Sequence, residues 1–355
     1  MPFYQRLDGS KIKGRRTVEG LLRLRGGLHE ELPERTFNRT LLLATWNIRD
    51  FDKPAYGRRM DEAIYYMAEI IDRFDLVAVQ EVYRDMEALN RLLKILGSYW
   101  KYVCTDTTEG RRGNDERMAF LYDSRKVRFG GLVGEVVLPP IRQPDNTYTL
   151  VPQFWRTPFM CGFQAGWTRF MLATVHILWG ASEPDPEDRV NEIRQIAQFF
   201  RSRIEDPTSW SRNIILLGDF NIFDIEDATF SELTNAGFVI PMELRVESNA
   251  SRGRHYDQIA FPIRPYRLES TGRAGVFDFF QYVYRNEDEA EYVDAMGAAY
   301  HRTSSGSPRA ESGKRRYFRT YWRTHQMSDH LPKWVELEID YSHAYLQRKL
   351  GHSDS

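Results

Sequence analysis

The chain has 355 residues, of which 42% are hydrophobic and 14% aromatic, and this is enough apolar material to build a large core. Its 49 basic and 50 acidic residues leave a formal net charge of -1, so the overall charge does not indicate a polyanionic partner. The two cysteines, Cys104 and Cys161, lie in apolar runs and are too few for a disulfide framework.

The N-terminal segment is polar and basic, without the apolar stretch of a signal peptide. No window of the sequence approaches the roughly 20 consecutive apolar residues that a membrane-spanning helix needs. We therefore expect a soluble, cytoplasmic protein with no membrane span, and the sequence leaves its oligomeric state open.

Residues 1–38 are predicted to form an N-terminal helical extension. The leucines of this segment have helical spacing, but Gly26 and Gly27 interrupt it, which predicts two short helical pieces packed on the main body. The main domain is expected over residues 39–340. A C-terminal helical tail is expected over residues 341–355.

The main domain contains apolar runs typical of buried strands and amphipathic patterns typical of helices. Strands are predicted at 41–45, 75–81, 117–123, 126–138, 169–177, 213–220, 256–261 and 333–339. Helices are predicted at 58–74, 85–96 and 186–205. Because helices alternate with strands early and strands crowd together in the middle, the pattern predicts an α/β (α+β) fold. In it, two β-sheets pack on each other with helices outside.

The informative feature of these strands is the polar residue at the end of each. The polar residues at or near the strand ends are Asn47, Glu81, His176, Asp219 and Asn221, with Asp329 and His330 just before the last strand. Active sites collect at strand ends because a rigid scaffold holds converging side chains there. Any one of these residues alone would suit a turn, a helix cap or a buried histidine, but the whole set predicts an active site.

The residue types of this set indicate chemistry on a phosphate ester. Carboxylate and amide oxygens without thiolate favour Mg²⁺, with Mn²⁺ or Ca²⁺ as alternatives, over structural zinc. Glu81 and Asp329 are candidate metal ligands, while Asp219 is a candidate base for an attacking water that Asn221 would orient. The two histidines are candidate donors to a phosphoryl oxygen, which together with a cation would neutralise the charge that repels nucleophiles.

In this order the residues resemble the endonuclease/exonuclease/phosphatase superfamily, the deoxyribonuclease I-like fold. The motifs that carry the resemblance lie between residues 45 and 332 and are TWNIR, AVQEV, NDERMAFLY, TVHI, GDFNIF, HYDQIAF and SDHLP. Each motif alone is a weak signal, but their joint occurrence in the right order is specific. The resemblance implies a four-layer α/β/β/α sandwich of two mixed β-sheets flanked by helices, with the site at one edge.

The resemblance also implies roles for the residues nearest the reaction. Asn47, Glu81 and Asp329 would hold the metal ion. Asp219 and Asn221 would activate or position the attacking water.

Two histidine–carboxylate pairs are implied as well. His330 would be oriented by Asp257, and His176 would pair with Glu116. The two histidines would bind the phosphate and serve as the acid–base pair. Arg156 matches an arginine that contacts a substrate phosphate in the deoxyribonuclease branch.

The two pairs resemble the deoxyribonuclease I arrangement, whereas base-excision repair members place a tyrosine in the motif that holds Glu116. This favours a nuclease or phosphodiesterase that cleaves DNA or RNA, DNA more than RNA, by in-line attack of an activated water. The alternative is a hydrolase of a small substrate, such as the lipid headgroup of sphingomyelin, an inositol phosphate or a nucleotide, since all branches share the fold and the catalytic core. The intact acids and histidines argue against a non-catalytic binding module.

Two basic segments are candidates for substrate contact. The stretch 301–326 is predicted as a long loop in which arginines and aromatic residues alternate, a composition that suits phosphate contact and base stacking. A solvated loop with partly buried aromatics fits it equally well. The stretch 109–117 is the second candidate, and it ends in Arg117. The arginines assigned to phosphate contact in the first stretch are Arg315, Arg316 and Arg319.

Overall fold

The computed structural model describes residues 1–109 and 115–350. Its strands are β1 (Thr40–Phe51), β2 (Leu76–Tyr83), β3 (Trp100–Cys104), β4 (Glu116–Asp123), β5 (Val127–Glu135), β6 (Ile141–Arg142), β7 (Tyr148–Thr149), β8 (Phe159–Ala165), β9 (Thr168–His176), β10 (Ile214–Asp219), β11 (Asp257–Ala260), β12 (Ser270–Val276) and β13 (Lys333–Glu338). Its α-helices are α1 (Ile12–Glu31), α2 (Asp61–Asp72), α3 (Glu87–Leu96), α4 (Glu187–Glu205), α5 (Ala228–Asn235), α6 (Val293–Met296), α7 (Ala298–His301), α8 (Glu311–Arg316), α9 (Arg323–Gln326) and α10 (Ser342–Lys349).

Two mixed sheets form the centre of the fold, as predicted. The first sheet has the strand order β12-β13-β1-β2-β4-β3, and the second has the order β11-β10-β9-β8-β5. Each sheet contains one parallel pair, β1 with β2 and β9 with β10, and its other neighbours are antiparallel. Strands β6 and β7 form a separate hairpin.

The side chains of β1 show why its sequence is an almost unbroken apolar run. Successive residues of a strand point to opposite faces of the sheet. Leu41 and Leu43 join the core that contains the inner residues of the second sheet, whereas Leu42 and Ala44 join the core under α1, α2 and α3. Both faces of the strand are buried, so the residues before Asn47 are apolar except Thr40 and Thr45, whose hydroxyl groups hydrogen-bond to Glu336 and Gln80.

Helices cover the outer face of each sheet and complete the four layers. Helices α1, α2 and α3 contribute their apolar faces to the core of the first sheet. Helices α4 and α5 pack on the second sheet, where Ile193, Ile196 and Phe200 of α4 are completely buried. No helix in residues 1–109 and 115–350 is long and apolar enough to cross a membrane.

The N-terminal extension differs from its prediction, since Ile12–Glu31 is one continuous helix rather than two pieces. Gly27 faces the ring of Tyr282, and a Cβ at this position would lie 2.1 Å from Cζ of that ring. The glycine is therefore a point of close helix packing and does not break the helix. Close packing of a helix on its neighbours overrides the weak helix propensity of glycine.

The prediction of a long loop at 301–326 is also wrong for most of that segment. The segment from Glu311 to Gln326 is helical throughout, with α8, a π-helix at Tyr317–Trp322 and α9 following one another. Phe318 and Trp322 are four residues apart, so they lie on one helix face, and both are buried in the core of the first sheet. Burial of this apolar pair stabilises the helix. The serines and glycines nearby make the same stretch look like a loop in the sequence.

The other terminal and loop segments are described in part. Helix α10 lies in the predicted C-terminal tail, and residues 351–355 of that tail are outside the described residues. Residues 110–114, the middle of the predicted basic loop at 109–117, are outside them too.

We predict opposite effects for two glycines of α1. A Cβ at Gly20 would lie 2.2 Å from the hydroxyl oxygen of the buried Tyr66, whereas a Cβ at Gly26 meets nothing within 4 Å. Gly20→Ala should lower the free energy of unfolding by roughly 1 to 3 kcal/mol through overpacking. Gly26→Ala should raise it by about 1 kcal/mol because alanine is the better helix former. Urea denaturation of both variants measures this, and equal effects would show that α1 does not dock closely on α2.

Candidate active site

Four of the predicted site residues lie at the carboxyl ends of the two parallel strand pairs. Asn47 and Glu81 lie on β1 and β2, while His176 and Asp219 lie on β9 and β10. Asp219 is the register partner of His176. Because parallel strands end at the same edge of a sheet, and the two sheets face each other, the four side chains converge at one rim of the sandwich.

An irregularity in β2 presents Glu81 at this rim. The pairing of β2 with β4 shifts register between Val79 and Val82, and Glu81 has a left-handed φ of +61°. β-bulges re-aim side chains, and backbone strain of this kind concentrates at functional sites. The backbone N–H of Asp50 donates a hydrogen bond of 2.6 Å to Oε2 of Glu81 and holds the carboxylate in place.

The motif GDFN has a steric explanation. Gly218 has a φ of +133°, and a Cβ there would lie 2.2 Å from the carbonyl oxygen of Val175 on the neighbouring strand. Only glycine fits this close approach, which brings Asp219 to the strand end. Asn221 follows with a φ of +52°, and its backbone N–H donates to Oδ1 of Asp219 at 2.9 Å.

Asp219 is the centre of the site. Its Oδ2 lies 3.7 Å from Nε2 of His176 and 3.7 Å from Nε2 of His330. The same oxygen accepts a hydrogen bond of 3.0 Å from Nδ2 of Asn47, which reaches across from the other sheet. Asn47 also donates to Oε1 of Glu81 at 2.8 Å. The structure thus brings together five residues that the sequence places up to 283 positions apart, from Asn47 to His330.

His330 and Asp257 form the first imidazole–carboxylate pair. Nδ1 of His330 lies 2.9 Å from Oδ2 of Asp257, and Ser248 donates from its hydroxyl to the same oxygen at 2.7 Å. Burial lowers the pKa of His330, but the negative charges of Asp257 and Asp219 outweigh burial and raise this pKa well above its usual range. The imidazole is therefore a cation at neutral pH, suited to donating to a phosphoryl oxygen.

His176, Glu116 and Arg156 form a second buried group. Nδ1 of His176 lies 2.7 Å from Oε1 of Glu116, although the angle of this contact falls outside hydrogen-bond geometry. Burial and the charge of Arg156 lower the pKa of His176 to about 4, so this imidazole is neutral at pH 7. Burial also raises the pKa of Glu116 to about 7, although Arg156 opposes this. The two histidines thus hold different charges, which separates their acid–base roles.

Arg156 does not project into open solvent. Its guanidinium pairs with Glu116 through Nε, and its Nη1 donates to the carbonyl oxygen of His176 at 3.4 Å. Only 7% of the residue is exposed. This placement favours a positioning role behind His176 over the predicted contact with a substrate phosphate.

Several site residues offer donor atoms for a metal ion. Within the described residues, the carboxylates of Glu81 and Glu116 and an imidazole nitrogen of His176 lie within 4.8 Å of one another. Nδ2 of Asn47 donates to the carboxylates of Glu81 and Asp219, and the buried amide oxygen of Asn47 has no hydrogen-bond partner among the described residues. A buried acceptor left unpaired beside carboxylates fits a cation.

One of the three predicted metal ligands belongs to this group, and the assignments of Asn47 and Asp329 stay predictions. Glu81 belongs both to the predicted set and to the observed group, whereas Asp329 is outside that group. The carboxylate of Asp329 is nearly half-exposed and lies 3.5 Å from Nη1 of Arg49. The other two members of the group are Glu116 on β4, the strand next to β2, and His176 on β9.

The remaining residues predicted to bind phosphate are Arg117, Arg315, Arg316 and Arg319. Arg117 donates to the carbonyl oxygen of Thr105 at 2.8 Å and pairs with Asp106. Arg315, Arg316 and Arg319 are exposed on the helical segment that ends at Gln326. At about 1.5 Å per residue, Arg316 is roughly 15 Å from the end of this segment. No contact joins these three arginines to the imidazoles within the part of the chain that the structure describes.

Glu192 on α4 supports the site and carries no signal in the sequence. Its Oε1 accepts the backbone N–H of Trp155, next to Arg156, and its Oε2 accepts that of Leu178, two residues after His176, both at 3.1 Å. Glu192 is 5% exposed. In the sequence it looks like any acid in an amphipathic helix, so its role depends on which loops pack against α4.

Ser248 and Ser328 are further supporting residues. The hydroxyl of Ser328 donates to the carbonyl oxygen of Asn47 at 2.6 Å and accepts the backbone N–H of His330 at 3.0 Å. Ser328 could have been identified from its place in the SDH motif, whereas the sequence around Ser248 contains no comparable motif.

The chain matches the profile of the Endonuclease/Exonuclease/phosphatase family over residues 44–287, more than half of its length. A comparison with curated protein sequences finds no match. The matched range contains Glu81, His176 and Asp219 but ends before His330, which the fold brings back to the site.

Solved structures of this fold cover most of the chain. The human Nocturnin catalytic domain with bound sulfate anion has a TM-score of 0.51 and 12% identity, covering 84% of this chain and 94% of that one. The endonuclease/exonuclease/phosphatase from Bacteroides vulgatus has a TM-score of 0.50 and 16% identity, with coverages of 85% and 99%. D. rerio TDP2 complexed with single strand DNA product has a TM-score of 0.50 and 13% identity, with coverages of 84% and 98%. At these identities the similarity establishes the fold.

We predict that Asp257→Asn lowers the pKa of His330, because the substitution removes the negative charge in direct contact with the imidazole, one of three that stabilise the imidazolium. The protonated imidazole should then be lost at a lower pH than in the wild type. NMR titration of the imidazole resonances in metal-free protein measures the shift, with the exposed His301 as internal reference. An unchanged His330 titration would contradict the pairing.

We also predict that Glu192→Gln weakens the site without abolishing the fold. An amide nitrogen cannot accept a hydrogen bond, so one of the two backbone N–H groups loses its partner, at a cost of about 1 to 3 kcal/mol in the free energy of unfolding. Phosphoester hydrolysis should fall by roughly 10-fold in kcat/KM, as for other supporting residues. Glu187→Gln, at an exposed acid of the same helix, is the control and should change neither quantity. Equal behaviour of the two variants would remove Glu192 from the site.

Proposed function

Since this chain belongs to the endonuclease/exonuclease/phosphatase family and is a phosphoester hydrolase, we propose that it is a Mg²⁺-dependent nuclease that cleaves DNA, or RNA, by attack of water on a phosphodiester. The observation that carries the proposal is the pair of carboxylate-backed imidazoles on either side of Asp219. Both Nε2 atoms lie 3.7 Å from the same Oδ2 of Asp219. A phosphoryl group seated there would meet a general base and two imidazole nitrogens at once.

Asp219 is the proposed base for the attacking water. Its Oδ1 accepts the backbone N–H of Asn221, and its Oδ2 accepts Nδ2 of Asn47, so the carboxylate is held in one orientation. Nδ2 of Asn221 donates to the carbonyl oxygen of Ile177 at 2.7 Å, and this leaves the amide oxygen as the atom that can accept a hydrogen bond from water.

The two histidines would stabilise the charge that develops on the phosphoryl oxygens. His330 is the proposed general acid, and its positively charged imidazole would donate a hydrogen bond to a phosphoryl oxygen. His176 is neutral, so its Nε2 can donate a hydrogen bond only in the tautomer whose Nδ1 accepts the proton of a protonated Glu116, which the raised pKa of Glu116 favours. Such preorganised donors lower the barrier because they need no reorientation as the charge forms.

Glu81 and Asn47, together with Glu116, are the residues that would hold Mg²⁺. A bound Mg²⁺ supplies a Lewis acid that neutralises phosphate charge. Mg²⁺ prefers oxygen ligands more strongly than softer metal ions do, so the oxygen atoms of these three side chains support Mg²⁺ as the bound ion.

The nuclease assignment is supported by the Glu116–His176 and Asp257–His330 pairs, which are the deoxyribonuclease-like feature of the sequence. The similarly folded D. rerio TDP2 was solved with a single strand DNA product. A net charge of -1 favours the second candidate, a small-substrate hydrolase, because it provides no long-range attraction for a polyanion.

The test is a substrate panel with duplex DNA, single-stranded DNA, RNA, sphingomyelin and inositol phosphates, each with Mg²⁺, Mn²⁺ or EDTA. We expect cleavage of DNA with Mg²⁺ and none with EDTA. Asp219→Ala and His330→Ala should each reduce kcat/KM by roughly 100-fold or more. Asp294→Ala and His343→Ala, at exposed residues, are the matched controls.

Two outcomes would contradict the proposal. Full cleavage by both site variants would show that Asp219 and His330 do not form the active site. Turnover of sphingomyelin or inositol phosphates without any cleavage of nucleic acid would replace the nuclease with the small-substrate hydrolase.

A further inference from the structure

An exposed tryptophan lies beside the catalytic histidines among other aromatic rings. Trp179 is 41% exposed and follows His176 by three residues. Its ring centroid lies 5.1 Å from that of Phe223 and 5.5 Å from that of Tyr256. The Tyr256 ring is in turn 5.4 Å from the ring of His330. We refer to Trp179, Phe223 and Tyr256 as the aromatic platform.

The loop that carries Trp179 is held by a buried arginine. Arg189 of α4 is completely buried, and its guanidinium donates to the carbonyl oxygens of Leu178, Ala181 and Pro184 at 3.3, 3.0 and 3.1 Å. It also donates to the carbonyl oxygen of Trp179. A buried guanidinium is tolerated only when its donors are satisfied, so the loop is fixed around this cation.

This rigidity makes the exposure of Trp179 informative. A tryptophan on a flexible loop can fold onto the surface. The backbone of Trp179, in contrast, is held in place because Arg189 donates to its carbonyl oxygen. The ring of Phe223 beneath it is buried, and the guanidinium carbon of Arg189 lies 5.6 Å from the tryptophan ring. An exposed ring that is ordered in this way presents apolar area for a ligand, without the entropic cost of fixing the loop on binding.

A cation completes the platform at its outer side. Arg254 is exposed, and its guanidinium carbon lies 4.6 Å from the ring centroid of Phe223. Aromatic rings beside a cation suit a nucleotide chain, in which flat bases alternate with phosphates. The imidazoles next to the platform are the groups assigned above to the scissile phosphate.

We propose that the aromatic platform is a base-stacking subsite, in which Trp179 receives the nucleobase next to the scissile phosphate and Arg254 faces the following phosphate. The proposal rests on the nuclease function proposed above and adds that the enzyme recognises the base as well as the backbone. Stacking on an aromatic ring tolerates all bases, so the subsite raises affinity with little sequence preference.

The test compares two substrates that share a backbone and differ only in the base. One is a fluorescently labelled oligothymidylate, and the other is an oligomer of the same length made of abasic tetrahydrofuran residues. The quantity measured is the ratio of kcat/KM for the two substrates. We expect the wild type to prefer oligothymidylate by about 5- to 100-fold and Trp179→Ala to bring the ratio close to one.

Two further variants control for unfolding and for non-specific loss of an aromatic ring. Trp179→Phe keeps a stacking ring and should retain most of the preference. Trp167→Ala removes another exposed tryptophan, which precedes β9 and is thus separated from Trp179 by a strand about 30 Å long. It should keep the wild-type ratio. A ratio in Trp179→Ala that equals that of the wild type would overturn the proposal, as would an equal loss in Trp167→Ala.

Binding measurements separate this proposal from the nuclease function. Calorimetry in EDTA compares thymidine 5′-monophosphate with deoxyribose 5-phosphate, and it requires no turnover. A base-dependent affinity in the wild type that is lost in Trp179→Ala supports the subsite even if no nucleic acid is cleaved, in which case the nuclease proposal alone fails. Equal affinities of the wild type for the two ligands would overturn the subsite whether or not nucleic acid is cleaved.

Discussion

The buried carboxylate of Asp219 is the constraint on which the site depends, because a charge that is 2% exposed must be compensated by its neighbours. Asn47 donates to it from the opposite sheet, and the backbone of Asn221 donates from its own. The imidazoles of His176 and His330 flank it at equal distances. These donors hold the carboxylate in one orientation and compensate its burial, so sheet packing and chemistry depend on each other.

The fold positions Asp219 and its neighbours at strand ends, with the help of strained backbone conformations. Glu81 and Asn221 both have positive φ values, and Gly218 occupies a conformation in which a side chain would strike the next strand. Such conformations persist only where the surrounding structure imposes them. Between the sheets, Gln80 of β2 donates to Thr174 of β9 at 2.8 Å, which ties the two rims together just below the site.

Side chains of helix α4 also hold the loops at this rim in place. Arg189 and Glu192 project from one helix, and they bind carbonyl and N–H groups of the segments that hold Trp179 and Arg156. Arg189 therefore satisfies carbonyl groups of the loop that holds Trp179, and Glu192 satisfies one backbone N–H group in each of the two loops. The position of the aromatic platform relative to the imidazoles follows from this arrangement, which links the proposed base recognition to the proposed phosphate chemistry.

The sequence alone determined eight of the strands, the two-sheet architecture and the polar residues at the strand ends, because apolar runs and their interruption are local properties of the chain. The strands β3, β6, β7, β8 and β12 were not predicted. Tertiary structure decided the rest. It keeps Gly27 within one continuous helix, makes a helix of the segment ending at Gln326, and turns Arg156 onto Glu116. It also supplies Glu192 as a backbone acceptor. The partner of a buried charge can lie anywhere in the chain, as the 172 positions between Asn47 and Asp219 show, so packing alone selects it.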